Sequence, residues 1–450
     1  MSFNSVSFLF LILPATVLLY CLISGRGKLA VMFITGLLFY GWGGPKDLLL
    51  LLLTIAFHYG AGAELYYLKA GKRDKQAKLM LIFAVACDVA LLCIYKYSGA
   101  GLPLGISFYT FSELSYLFDI YYGKAEAEKN PFKLSLYVSF FPKITSGPIV
   151  KYKDFSEQLD ELRFDFDNIS DGTALFVQGM FKKVLIADNL GVAFANVQEL
   201  NLISGATAWL GMIFYSLQLY YDFSGYSDMA IGLAKIFGFN FDKNFDYPYM
   251  SKNVSEFWRR WHISLGAWFR DYVYIPLGGN RVSSGLLFRN LLVVWLLTGI
   301  WHGSTGNFVF WGLYHGFFVI LERFVIKDLF DEVPAFIRIL VTDFIAFVGW
   351  VFFFSPSLAD GFYYVWQMFG ADGLGFFDRT AFFLFFDNLF LLIAAVAFAT
   401  PYPKKLHDKL AYEKGGVWRV LSVVAAVALM LLSVSGIIGS TYTTFLYFKF

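Results

Sequence analysis

Apolar residues run along this chain in long blocks, without the two-residue alternation of a half-buried strand. Blocks near the ~20 residues needed to cross a bilayer recur at 6–23, 29–44, 48–68, 79–97, 103–121, 173–194, 206–236, 286–301, 308–326, 336–354, 382–400 and 417–438. Open sheet edges cannot face lipid, so the pattern predicts an all-α polytopic membrane protein with about 10–12 transmembrane helices. Pro103, Pro142, Gly147–Pro148 and Pro276 interrupt the blocks and predict broken or re-entrant helices in the middle of the chain. No repeat of fixed period and no flexible linker divides the sequence, which predicts a single membrane domain over 1–450.

The charges between blocks set an orientation. Lys69, Lys72, Arg73, Lys75 and Lys78 crowd one loop, and Lys404, Lys405, Lys409, Lys414 and Arg419 another. Both loops are expected in the cytoplasm, with the amino terminus and the tail 440–450 outside. The first block, Val6 to Ile23, has its positive charges after it, at Arg26 and Lys28, and reads as a retained helix and not a signal peptide. The acidic segment 151–171 takes no side from this argument.

Composition agrees with the blocks. Of 450 residues, 58% are hydrophobic and 16% charged, against roughly 25% charged in soluble chains. The 36 Lys and Arg balance the 34 Asp and Glu, which excludes a nucleic-acid binder. Cys21, Cys87 and Cys93 lie in apolar runs with no C-x-x-C pair, and read as small buried hydrophobes. There is no H-E-x-x-H and no phosphate-binding loop, so no metal is expected.

Polar groups inside apolar helices carry the chemistry, because lipid penalises them. Gln218 and Asp222 are four residues apart and share a helix face; they form either a hydrogen-bond network between helices or a substrate-binding cavity wall. Trp258, Trp261, Leu265 and Trp268 make an apolar helical stripe flanked by Arg259 and Arg260, the composition of an interfacial helix. Those arginines contact either lipid headgroups or the phosphates of a donor. His302 ends an apolar run between Gly299 and Gly303; it is either a hydrogen-bonded structural residue or a proton acceptor for hydroxyl chemistry. His315 is expected to pack near the same cavity, His58 to pair structurally with Glu64, and His407 to be solvated.

Four strings now carry a resemblance: Gln218 through Asp228 to Gly232, Glu256 to Leu265, Trp268 to Arg281, and Ile300-Trp301-His302-Gly303. With Gly105 to Phe111, Phe140 to Pro142, Gly147 to Ile149 and the tail Phe445 to Phe450, they resemble the membrane-bound O-acyltransferase (MBOAT) family along nearly the whole chain. Within it the chain is similar to bacterial members that O-acetylate alginate-like polysaccharide; relatives act on peptidoglycan or in teichoic-acid D-alanylation. The resemblance implies a helical barrel with a central tunnel in a bacterial inner membrane. It implies an acyl donor, typically acetyl-coenzyme A, reaching the tunnel from the cytoplasm, and no permanently bound cofactor. An extracytoplasmic SGNH-type acyltransferase would complete transfer to the polysaccharide acceptor. Matched residue by residue, His302 is the family's catalytic histidine and His262 the second histidine of the tryptophan-rich motif. Gln218, Asp222, Arg259, Arg260, Trp301 and His315 are the candidate substrate-binding residues beside them. The chain has Phe354 where relatives often place an arginine. The tail tyrosine, Tyr447, is either part of an aromatic interface belt or an acyl carrier activated by His302. A lipid or polysaccharide flippase would also use broken helices and intramembrane Asp and Gln, but would leave the two histidine motifs without a purpose.

Overall fold

In the computed structural model every regular element is a helix, and no strand occurs among the described residues, which are 1–98, 101–159, 162, 165–303, 305–326, 330–371 and 374–439. Two compact units emerge. One comprises Met1–Val177 with Tyr226–Lys243, the other Gln178–Gly225 with the chain from Asn244 onward.

The first unit contains α1 (Leu13–Leu22), α2 (Gly27–Gly41), α3 (Pro45–Ala70), α4 (Asp74–Tyr97), α5 (Ile106–Tyr121), α6 (Pro131–Ser139), α7 (Tyr152–Leu159) and most of α8 (Phe166–Met180). A tight basic turn joins α3 to α4, where Lys69 pairs with Asp74 at 2.7 Å. Residues 140–149 form no helix, as their Pro and Gly content predicts, yet almost all are buried. Gly105 shows why: its φ is +73°, and a Cβ there would press into the main chain of Ile144 and Thr145. Such irregular backbone persists at membrane depth only when protein surrounds it.

One cluster in this unit corrects the sequence reading of His58. Its partner is not Glu64. His58 Nε2 lies 3.0 Å from Asp88 Oδ2, and Nδ1 lies 2.8 Å from the Thr54 carbonyl and 3.6 Å from Glu113 Oε2. The buried Lys143 ammonium sits 3.2 Å from Ser112 Oγ and 4.0 Å over the Tyr137 ring.

The second unit contains α9 (Asp188–Gln198), all but the last turns of α10 (Gly205–Ile236), α11 (Val254–Arg260), α12 (Ile263–Phe269), α13 (Ser284–His302), α14 (Gly306–Leu321), α15 (Ala335–Phe354), α16 (Leu358–Met368), α17 (Arg379–Asp387), α18 (Leu389–Phe398) and α19 (Tyr402–Gly439). The basic stretch expected as a loop at 401–419 is instead mostly helix, kinked at Gly415 with φ +52°. The cysteines are not buried as expected: Cys21 and Cys93 are exposed and Cys87 is half-buried, on the faces an apolar solvent would cover.

Among the described residues, six helices are long and apolar enough to cross a membrane singly: α3, α4, α13, α14 with its π-helical extension, α15 and α19. The α17–α18 pair, bent by 62°, makes a seventh if it is one span. This is fewer than the sequence blocks suggest: the apolar helices Phe8–Leu22 and Gly27–Gly41 are short of a full span, and two further blocks are polar and buried. The blocks at 103–121 and 206–236 became α5 and α10, which carry many polar residues and are buried along nearly their whole length. Such helices are sheathed by protein.

Candidate active site

The site begins with a broken helix. Asn253 Oδ1 caps α11 by accepting from the Glu256 amide at 2.7 Å. The Glu322 carboxylate accepts from the Val254 and Ser255 amides at 2.5 and 2.9 Å. The helix stops at Arg260, and His262 adopts φ +47°, ψ +55° before α12 starts. The tryptophan stripe is therefore two short helices and not one interfacial helix. A non-glycine residue in the left-handed region costs on the order of 1–3 kcal/mol and persists where its surroundings hold it. Periodicity cannot reveal such a break, since neither Gly nor Pro marks it.

Helices α13 and α14 form an antiparallel hairpin around two glycines. A Cβ at Gly299 would lie 2.6 Å from the Phe308 carbonyl oxygen, and one at Gly312 would lie 2.9 Å from Gly299 Cα. Gly299, one turn before His302, thus admits another backbone, which draws the two helices together. His302 sits on the last turn of α13, 4% exposed. Its ring lies 4.7 Å from Trp301, 4.8 Å from Trp311 and 5.4 Å from Phe353, all near-perpendicular.

His262 and His302 line one cavity of about 190 Å³. Its walls are mainly apolar, with Trp258, Trp261, Leu265, Phe269, Leu291, Val294 and Trp295, and Arg270 and Tyr274 join them. No carboxylate is among its lining residues. Burial lowers the pKa of His262 to about 3, so this ring is neutral at physiological pH. An apolar cavity with a neutral imidazole suits proton transfer to and from hydroxyls or thiols.

The other sequence candidates divide. Asp222 does not line the cavity; it pairs with Lys183 at 2.7 Å, and Lys183 also holds Asp188 at 2.6 Å. Gln218 is buried on the same helix, also away from the cavity lining. Arg260 is half-buried and held by Glu256 at 2.8 Å and by the Asp246 carbonyl at 3.1 Å, while Arg259 is exposed. His315 is fully buried behind the cavity, 4.8 Å from the Trp258 ring, and Trp301 stands between the cavity histidines at 6.4 Å from His262. Tyr447 lies outside the described residues. Sequence reasoning missed Lys183, Asp188 and Asn244, whose side chain meets His262. A lysine inside the apolar block 173–194 was a readable signal, whereas Asn244 sits in a polar loop and offered none.

Long apolar helices and an apolar cavity lined by two imidazoles define a multi-pass membrane protein with a candidate site in its interior. The profile of the membrane-bound O-acyltransferase family matches residues 125–366. The chain belongs to this family and is an O-acyltransferase. It is 37% identical over 393 residues to the probable alginate O-acetylase AlgI of Pseudomonas aeruginosa, covering 82% of this chain and 74% of that protein. The peptidoglycan O-acetyltransferase of Helicobacter pylori is 32% identical over 426 residues, 83% of this chain and 80% of its own. The teichoic acid D-alanyltransferase of Bacillus subtilis is 31% identical over 237 residues, 50% of this chain and 60% of its own.

Proposed function

We propose that this enzyme carries an acetyl group from a cytoplasmic thioester, acetyl-coenzyme A, to the outer side of a bacterial inner membrane for O-acetylation of an alginate-like polysaccharide. The observation that carries the reading is the pair of imidazoles, His262 and His302, on one apolar cavity. Base catalysis from such a ring is worth roughly 10²–10⁴-fold. An acceptor hydroxyl gives its proton to His302, and its oxygen attacks the thioester carbonyl carbon. The C–S bond breaks, and the leaving thiolate takes the proton back from the imidazolium, so that an ester and a free thiol remain. His262 supports the donor, and the exposed Arg259 is the candidate contact for its phosphates.

Tyr447 is the proposed first acceptor. An acyl-tyrosine divides one long transfer into two short ones, the second completed by an extracytoplasmic SGNH-type partner on the polysaccharide. The orientation rests on the basic turn at 69–78 and the basic residues of α19, both placed in the cytoplasm, with both termini outside. The absence of a carboxylate from the cavity lining favours a neutral acetyl group over D-alanyl, whose ammonium would meet mainly apolar walls there. Peptidoglycan O-acetylation uses the same chemistry and differs only in the acceptor.

Mass spectrometry of surface glycans from a deletion strain tests the reading. Acetyl esters should disappear from one polymer, identifying it, and return with the wild-type gene but not with Tyr447→Phe. Unchanged acetylation in the deletion strain would refute the function, and full activity in Tyr447→Phe would reduce the tail to an anchor.

A further inference from the structure

We propose that Asn244 is a positioning residue: it fixes His262 as the Nδ1–H tautomer and so makes Nε2 the ring's proton-accepting atom. One donor at this site has no ambiguity. The Ser264 backbone amide lies 3.1 Å from the terminal Oδ1 position of Asn244. A backbone N–H only donates, so the group facing it is the amide oxygen and not the NH₂. That same oxygen lies 2.9 Å from Ser264 Oγ and 3.3 Å from His262 Nδ1. An amide oxygen only accepts, so Nδ1 carries the hydrogen. A neutral imidazole has a single N–H, which leaves the lone pair on Nε2.

The main chain repeats the message. The Ile263 amide donates to the Asn244 carbonyl at 2.9 Å, and the Asp246 amide donates to the Arg260 carbonyl at 2.9 Å. These two bonds bracket His262, the residue at φ +47°. Asn244 is 1% exposed and holds the histidine through both its backbone and its side chain. Aromatic rings also flank the histidine, with Phe223 at 4.6 Å, Trp301 at 6.4 Å and Phe245 at 6.5 Å. Residue type matters here. Leucine has the size but no acceptor, and aspartate keeps the acceptor while adding a charge.

The role in turnover rests on the acyl transfer proposed above; the tautomer does not. The chain has only five histidines, so ¹⁵N-histidine NMR of the purified full-length protein, with signals assigned by single substitutions, reads the ring directly. The expected spectrum at neutral pH shows a protonated Nδ1 and a bare Nε2 for His262, with Asn244→Asp retaining that tautomer and Asn244→Leu shifting the ring toward Nε2–H. A wild-type His262 protonated on Nε2 would overturn the proposal, whatever the enzyme's substrate. Turnover is then read as release of free thiol from acetyl-coenzyme A. Asn244→Leu should lower it by at least about tenfold, Asn244→Asp should restore most of it, and in a His262→Ala background Asn244→Leu should change it less than about twofold. An equal loss in both backgrounds would show that Asn244 does not act through His262. A wild type that releases no thiol would refute the donor reading instead, and the spectrum would still decide the tautomer.

Discussion

His58 and His302 are both buried histidines on long apolar helices, and their surroundings differ in kind. His58 has a carbonyl at one ring nitrogen and the Asp88 carboxylate at the other, with Glu113 close by. Both of its ring nitrogens are engaged by protein groups, the arrangement by which polar side chains are tolerated in an apolar layer. His302 has aromatic rings around it and a cavity beside it that no carboxylate lines. His58 has both ring nitrogens occupied by protein groups, whereas His302 lines a cavity that a substrate can enter. Residue type and burial alone therefore do not separate a structural histidine from a chemical one. The character of the neighbours does.

This contrast can be broken by substitution. The largest effect on stability belongs to Lys183→Met, which leaves Asp188 and Asp222 buried without their cation; removing one partner of a buried pair costs about 3–5 kcal/mol. The expected result is a much lower melting temperature and membrane abundance, with acetylation per folded molecule retained. Lost activity in a fully folded variant would return Asp222 to the substrate wall. Val294→Trp, which fills the cavity, should do the converse: turnover falls on the order of 10²-fold as the acyl group is displaced, while the melting temperature moves by only a few degrees. Wild-type turnover would place the acyl group elsewhere. Gly299→Ala pushes a methyl group against the Phe308 carbonyl, and its expected cost is roughly 1–3 kcal/mol, measured by thermal unfolding in detergent. Smallest is Arg259→Ala. An exposed charge contributes at most about 1 kcal/mol, so the donor KM should rise no more than a few-fold, and high salt should erase the difference.

Much of the site was legible in the sequence. The motif Gly299-Ile300-Trp301-His302-Gly303 marked His302, and the tryptophan-rich string marked His262, because polar residues are conspicuous inside apolar runs. Three things stayed hidden. The partners of buried charges come from other helices: His58 found Asp88, 30 positions away, and Asp222 found Lys183, so neighbours in sequence such as Glu64 misled. The turn at His262 uses a left-handed non-glycine residue, which leaves an unbroken apolar stripe over a broken helix. The faces of Cys21 and Cys93 were misjudged because an apolar helix reads alike whether lipid or protein surrounds it.

The central claim is that the cavity histidine does chemistry and the clamped histidine holds structure. His302→Ala and His58→Ala, each purified from the same membranes and scored for melting temperature and for acetyl ester formed per folded molecule, test it together. The account predicts a crossover, in which His302→Ala melts like wild type and loses at least about 10²-fold in acetylation, while His58→Ala melts lower and acetylates normally per folded molecule. Wild-type acetylation by folded His302→Ala would contradict it.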